Sequence, residues 1–492
     1  MKLERHDIPP DDLKEKLHVS LNNRDKRLGL ITSIDGKQII TVILCLTDGS
    51  ADIWTTTING NFPAVSSVVP QAHWFERELR DLFGIRSHGH PRMKSIFTKH
   101  AFQVDTTPLK SIGADDTKAI EERDFSFLHV EGEDVYELPV GPVHAGIIEP
   151  GHFRLSCLGE IVQNLELRLG FLHRGIEKRM TETHWSKTRF VAEAAASDTA
   201  VGNALANAIA IESLHNIEIP VRANNLRTMA LEIERLAMHI ADVGGMSVDL
   251  GFSGVSAGLS RLRGTALAIA ELLSGSRFMR GFVCPGGVTS NPDKYLSKIE
   301  KVSRSLQAEL DEFLYLFIDN TSVQERLSGT GTVSKSLAED FGFVGVAARA
   351  SGIAYDARQC FKHGDYPRTA PAVQTDHTGD ALARIRVRIG EISTSFEVLY
   401  STLGSISEGE TKIELPWTLP KEKIGMAVVE AFRGELIHLI VTGKDGEIER
   451  YAIKDPSINN WTGMAIAARR ELIADFPVCN KSFSLSYSGH DL

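Results

Sequence analysis

The side chains in this 492-residue chain best suited to hold a metal are five cysteines: Cys45, Cys157, Cys284, Cys360 and Cys479. Zinc and iron–sulfur sites are built from thiolates a few residues apart, so that neighbouring sulfurs face one ion. No two of these cysteines stand at C-x-x-C spacing, and their number is odd. The spacing therefore predicts neither a locally built metal site nor a disulfide framework, but reduced, mostly buried thiols of the cytoplasmic kind. No glycine-rich strand-to-helix fingerprint is present, so dinucleotide binding by this chain is not expected. A net charge of −10 gives nucleic-acid binding no electrostatic support.

The elements that would position any chemistry fall into two blocks, and the length allows two or more domains with proper cores. Residues 1–104 mix strand and helix. Gly29 to Thr32 and Gln38 to Leu44 are rich in branched residues around an Asp35-Gly36 turn, and Ala51 to Thr57 reads as a further strand. A helix is expected over His73 to Phe83 after Pro70. Its many charges read as a solvated face or as a contact with another subunit. Residues 105–135 are polar and read as a linker.

The second block, 136–492, opens with strands at His152 to Cys157 and Ile161 to Leu169 around Gly159-Glu160. It then turns helical. Leu226, Met229, Ala230, Ile233, Leu236, Ala237 and Ile240 form a 3.6-residue stripe that predicts a core-facing helix ending at Gly244-Gly245. Further helices are expected at 256–274, 292–318 and 378–403. Strands are expected at Met426 to Val429, Glu435 to Val441 and Ile448 to Ile453. The fold class is α+β: a small α+β domain, then a mainly helical domain with β hairpins. The N-terminus lacks the apolar core of a signal peptide, and no apolar run is long enough to span a bilayer.

Several strings carry a family resemblance. His73-Trp74-Phe75-Glu76-Arg77-Glu78-Leu79-Arg80-Asp81-Leu82-Phe83-Gly84-Ile85, followed by Gly89-His90-Pro91, resembles the 30-kDa-type subunit of respiratory complex I. Gly141-Pro142-Val143-His144 through Gly151-His152-Phe153 is similar to the opening of energy-converting (group 4) nickel–iron hydrogenase large subunits. Leu172-His173-Arg174-Gly175-Ile176-Glu177-Lys178, Glu232-Ile233-Glu234-Arg235, Pro285-Gly286-Gly287-Val288 and Gly329 to Ser334 resemble strings shared by those hydrogenases and the 49-kDa-type subunit of complex I. Arg349-Ala350-Ser351-Gly352-Ile353 and Gly379-Asp380 continue the order. The fused arrangement resembles hydrogenase subunits of formate-hydrogenlyase-type complexes and fused complex I subunits.

The resemblance implies a nickel–iron site held by four thiolates in two C-x-x-C pairs, since soft metals select thiolates. Counting back from Glu212 puts the first pair at Ala196 and Thr199. Anchoring on Ala474-Asp475-Phe476-Pro477 puts the second at Ser486 and Gly489. None supplies a thiolate, and no cysteine lies between Cys157 and Cys284. The expectation is a lost metal cage and no H2 activity of its own. Nickel-containing relatives usually carry a clipped C-terminal extension. The chain stops at Leu492, which is expected to mean no such maturation.

In the 49-kDa family the vacated cavity is part of a quinone site, contacted by a hairpin histidine and a tyrosine. Here the hairpin offers His144 and His152, as pocket groups or as hairpin residues with satisfied hydrogen bonds. The tyrosine position falls at Ser197, with Asp198 beside it. Asp198 reads either as a helix N-cap or as a proton-exchanging carboxyl raised by desolvation. Glu177 corresponds to a proton-traffic residue of the hydrogenases, or pairs with Arg174 or Lys178. Arg433 resembles the arginine beside the hydrogenase site, or forms a structural salt bridge.

The implied function is that of a hydrophilic-arm subunit of a membrane-bound oxidoreductase complex. That complex couples NADH- or quinone-type electron transfer to ion translocation. The chain is expected to bind no cofactor itself, quinone excepted, with NAD and iron–sulfur clusters on partner subunits. Its partners would be a small iron–sulfur subunit and membrane subunits that hold it at the cytoplasmic face. A non-catalytic scaffold of such a complex is the alternative, and an active nickel–iron hydrogenase a third.

Overall fold

The computed structural model describes residues 1–97, 107–109, 126–145 and 148–492. Most of the 105–135 stretch read as a linker lies outside the described residues. Four strands make the N-terminal sheet, in the order Leu3–Asp7, Ala51–Thr57, Gln38–Cys45, Lys26–Ile34. The first pair is parallel and the other two antiparallel. Continuous branched runs are explained by burial on both faces: Leu28, Ile39, Val42, Ile43 and Ile53 are fully buried.

The His73–Phe83 helix forms as its sequence predicts and stops at Gly84, whose φ of 71° suits glycine. Its charges, however, are not on a solvated face. Glu76, Arg77 and Asp81 are buried. Asp81 accepts the Ile96 N–H at 2.7 Å, and Glu76 accepts that of Ser66 at 3.2 Å together with the Val65 N–H and Ser66 hydroxyl. These carboxylates tie down loop amides that would otherwise be buried without partners.

The second block carries a three-stranded antiparallel sheet (Val135–Val140, His152–Leu158, Ile161–Arg168) and another (Ile424–Ala431, Gly434–Thr442, Ile448–Lys454). Between them runs a bundle of helices, chiefly Ala200–His215, Val221–Asp249, Ser253–Ser274, Leu296–Ile318 and Ala381–Gly404. The Val221–Asp249 helix is its axis and is buried nearly all round. Contrary to the sequence reading, it does not end at Gly244-Gly245 but runs on to Asp249. Gly244 is there for closeness: a Cβ would stand 3.3 Å from the Leu259 Cβ of the neighbouring helix. The segment after the last strand, for which the sequence states no element, forms the helices Pro456–Ala467 and Phe476–Phe483.

One apolar core fills the helical bundle. A second is shared by the N-terminal sheet and both sheets of the second block, with Leu30, Val42, Leu155, Ile437 and Leu439 as members. Gly29 packs against Ile437, and Arg450 donates to the Thr32 hydroxyl across the same boundary. The two blocks are thus joined by a common core.

Candidate functional site

Arg433 sits in the tight turn between Ile424–Ala431 and Gly434–Thr442, and Asp198 in the loop just before the Ala200–His215 helix. The fold brings them together across 235 residues of sequence. The Arg433 guanidinium grips both Asp198 oxygens, at 2.8 and 2.6 Å, and also donates to the Ser484 carbonyl. Two parallel charge-assisted bonds fix the geometry as well as the charge. Burial pushes the Asp198 carboxyl up, but Arg433 outweighs it and holds the group below its usual value. The expectation of a raised Asp198 pKa is therefore corrected. Nor does Asp198 cap the helix: Thr199 occupies the cap position, without a side-chain cap bond.

The ion pair lines a cavity of about 620 Å³. Ser197, Asp198, Arg433, Ser484, Ser486 and Tyr487 form its polar side, and Met238, Val248, Phe278, Phe432 and Leu485 its apolar walls. Its floor is tied to the bundle through Asp242, which accepts from the Ser484 hydroxyl at 2.7 Å and Arg388 Nε at 2.9 Å. Asp455 caps the Pro456–Ala467 helix, accepting the Ser457 N–H at 2.8 Å. Burial raises its carboxyl in spite of nearby Arg433.

The four positions that the family resemblance leads one to expect as counterparts of metal ligands lie around this cluster. Ala196 and Thr199 are buried in one turn, the Thr199 N–H donating to the Ala196 carbonyl at 3.0 Å. The Ser486 hydroxyl accepts the Gly489 N–H at 2.9 Å. A Cβ on Gly489 would stand 2.3 Å from an Asp455 oxygen, so a side chain there meets a carboxylate. No cysteine is among the cavity's lining residues. Cys479 is buried elsewhere, against Gly331. This donor set of methyl, hydroxyls and hydrogen does not fit a nickel–iron centre.

Other sequence candidates scatter. His144 hydrogen-bonds Tyr487 at 3.4 Å, so it stands behind the cavity wall. Burial pushes its imidazole pKa down. His152 turns away, toward Phe127, with Nδ1 3.3 Å from the Gly141 carbonyl. Glu177 is remote from the cavity lining. It pairs with neither Arg174 nor Lys178, but accepts from Arg450 at 2.6 Å and the Ile453 N–H at 2.8 Å. Arg174 is spent on the Ala194 and Ala195 carbonyls.

Sequence reasoning missed Tyr487, Asp242, Asp455 and Glu234. The resemblance placed a tyrosine near Ser197 and found none, whereas the cavity takes Tyr487 from the far end of the chain. Glu234 belongs to the Glu232-Ile233-Glu234-Arg235 string, but nothing local marks it as a carboxylate without a cation.

Deeper in the bundle lies a different charge cluster. Glu391 accepts from Arg349 at 2.9 Å, contacts His239 at 2.9 Å and takes a longer bond from Arg235 at 3.4 Å. Arg349 also holds Glu430 at 2.8 Å. Arg358 joins Asp356 at 2.6 Å to Glu232 at 3.1 Å. All are buried.

Comparison with known proteins defines the class. Residues 6–112 match the respiratory-chain NADH dehydrogenase 30 Kd subunit, and residues 249–428 the respiratory-chain NADH dehydrogenase 49 Kd subunit. The chain is a fusion of complex-I-type 30-kDa and 49-kDa domains. Among its relatives is formate hydrogenlyase subunit 5 of Escherichia coli (strain K12), 26% identical over 96% of this chain and 84% of that protein. Hydrogenase-4 component G of the same organism is 27% identical over 87% and 76%. The C/D subunit of NADH-quinone oxidoreductase from Phocaeicola vulgatus is 29% identical over 96% of each.

Proposed function

We propose that this chain is a hydrophilic-arm subunit of a membrane-bound, complex-I-like or hydrogenase-4-like oxidoreductase complex, in which the nickel–iron site has been lost and its cavity kept. The observation that carries this is the cavity itself. Hydroxyls and the Asp198–Arg433 pair line it together with Glu149, Asp242, Arg263, Arg280 and Lys481, and it is open rather than filled with side chains; in this reading it is the space the metal cage left. A purely structural scaffold has no need of such a space, which a core would normally close. The partners under this reading are a small iron–sulfur subunit and membrane subunits. No described helix is long and apolar enough to cross a membrane, so attachment would run through those partners.

Within the complex, the cavity would receive a quinone head group or exchange protons. Apolar walls with a few convergent polar groups suit an uncharged ring with carbonyl oxygens. Tyr487 adds an aromatic wall, and its hydroxyl stands 3.4 Å from His144 Nε2. Arg433 keeps Asp198 ionised, so the polar end carries a closed ion pair. NAD chemistry and ion movement belong, in this reading, to partner subunits.

The test is to purify the intact complex from its host and measure its subunits, nickel, iron and extractable quinone. Iron–sulfur and membrane subunits should co-purify, with quinone present and nickel far below one per complex. Stoichiometric nickel overturns the loss of the metal site. Isolation of the chain without partners or quinone favours the scaffold instead.

A further inference from the structure

Glu234 lies midway along Val221–Asp249, where that helix meets the start of Ala200–His215. Its side chain is 5% exposed. The two oxygens accept the Val201 and Gly202 N–H groups at 2.7 and 3.0 Å. Those are orphan donors of a helix N-terminus, which favours negative charge. No lysine or arginine bonds to it among the described residues. Asp242 and Glu391, by contrast, each have a guanidinium.

Glu234 also lines a small side pocket of about 10 Å³, room for about one water. The side pocket and the main cavity share Ser197, Asp198, Met238 and Phe278. The side pocket is mostly apolar, and the polar groups it shares with the main cavity, Ser197 and Asp198, mark the way out for a proton leaving Glu234.

We propose that Glu234 is the proton-exchanging group of the cavity, binding one proton on its carboxyl and releasing it through the side pocket to cavity water. When the proton leaves, the carboxylate stays where it is, held by the two amides. Nothing else is transferred and no bond between heavy atoms changes.

Opposing influences poise the group. Burial acts first and raises it, the Val201 and Gly202 amides lower it, Asp198 raises it further and Arg235 lowers it slightly, leaving it at about 8. The other charge on the side-pocket wall is Arg277. From Ser253–Ser274 only apolar Leu267 and Ala270 face the side pocket. Asp198 cannot take the role, because Arg433 holds it ionised. Asp455 is also raised but is not among the groups lining either space.

This deepens the reading of the cavity as a redox or protonic site, and rests on it, by naming the group that carries the proton. The test is infrared titration of the purified complex in H2O and D2O, without added quinone, across a pH range centred on that pKa of about 8. One protonated-carboxyl C=O band should disappear with a midpoint near 8. Glu234→Gln should abolish that band, and Asp198→Asn should move its midpoint down by removing a neighbouring negative charge. The band persisting in Glu234→Gln overturns the assignment. If Glu234→Gln fails to fold, a midpoint unmoved or raised in folded Asp198→Asn overturns it. Since the band is read without quinone or metal, a complex found to lack bound quinone leaves Glu234 standing.

Discussion

Two charge clusters lie within one protein and are built on different rules. In the bundle interior, Glu391, Glu430, Glu232 and Asp356 each touch at least one guanidinium. Around the cavity, Asp198 is the only carboxylate among the described residues that Arg433 bonds directly, and Glu234, beside open space, is left to the Val201 and Gly202 amides. Matched charges make a rigid, costly-to-disturb interior. Unmatched carboxyls beside open space are free to titrate. The contrast separates what holds the bundle from what is available for chemistry.

The largest effect should come from breaking the matched side. Arg349→Met strands Glu391 and Glu430, and a loss of about 3–5 kcal/mol is expected in denaturant unfolding at neutral pH. A loss below about 1 kcal/mol would mean the cluster re-pairs easily and would erase the contrast.

The unmatched side should show in the pH dependence. Glu234 is raised, so between the unfolded carboxyl value near 4.5 and the folded value of about 8 the folded state binds more protons. Its contribution to stability therefore falls as pH rises through that window. Glu234→Gln should flatten this fall, by on the order of 2–4 kcal/mol across the window. Equal slopes in both proteins would place Glu234 among the matched carboxylates.

Asp356 has the opposite sign. Burial alone would raise it, but Arg358 and Arg349 hold it at about 2. Its stabilisation is present above the unfolded value of 3.8 and is lost as pH falls toward 2. Asp356→Asn should reduce the acid-induced loss of stability between those values by about 1–2 kcal/mol. The check is thermal unfolding followed at steps down that range.

The smallest effect belongs to the surface. Lys16 and Asp12 pair four residues apart on an exposed helix face. Lys16→Ala should change stability by about 0.5 kcal/mol or less, measured in the same way, and sets the floor against which both clusters are judged.

Local order was largely legible. The Asp35-Gly36 turn between branched runs, the Pro70 start of His73–Phe83 and the stripe from Leu226 to Ile240 all state their elements through short-range rules. The reading failed where a residue's environment came from elsewhere. Glu76 and Asp81 looked like solvent charges because nothing near them in sequence announces the loops they bind. Gly244-Gly245 looked like a helix stop because only the crossing helix explains Gly244 as a close contact.

The sequence by itself determined most of the elements and the chemical identity of every side chain, including which five positions carry a thiol. Tertiary structure alone decided which of those side chains meet. Asp198 is held by an arginine 235 residues away, Tyr487 closes a cavity begun near Ser197, and Glu234 faces a helix N-terminus 33 residues earlier. Periodicity reports which face of an element is buried, but the charge state of a buried group depends on neighbours that only the packed chain supplies.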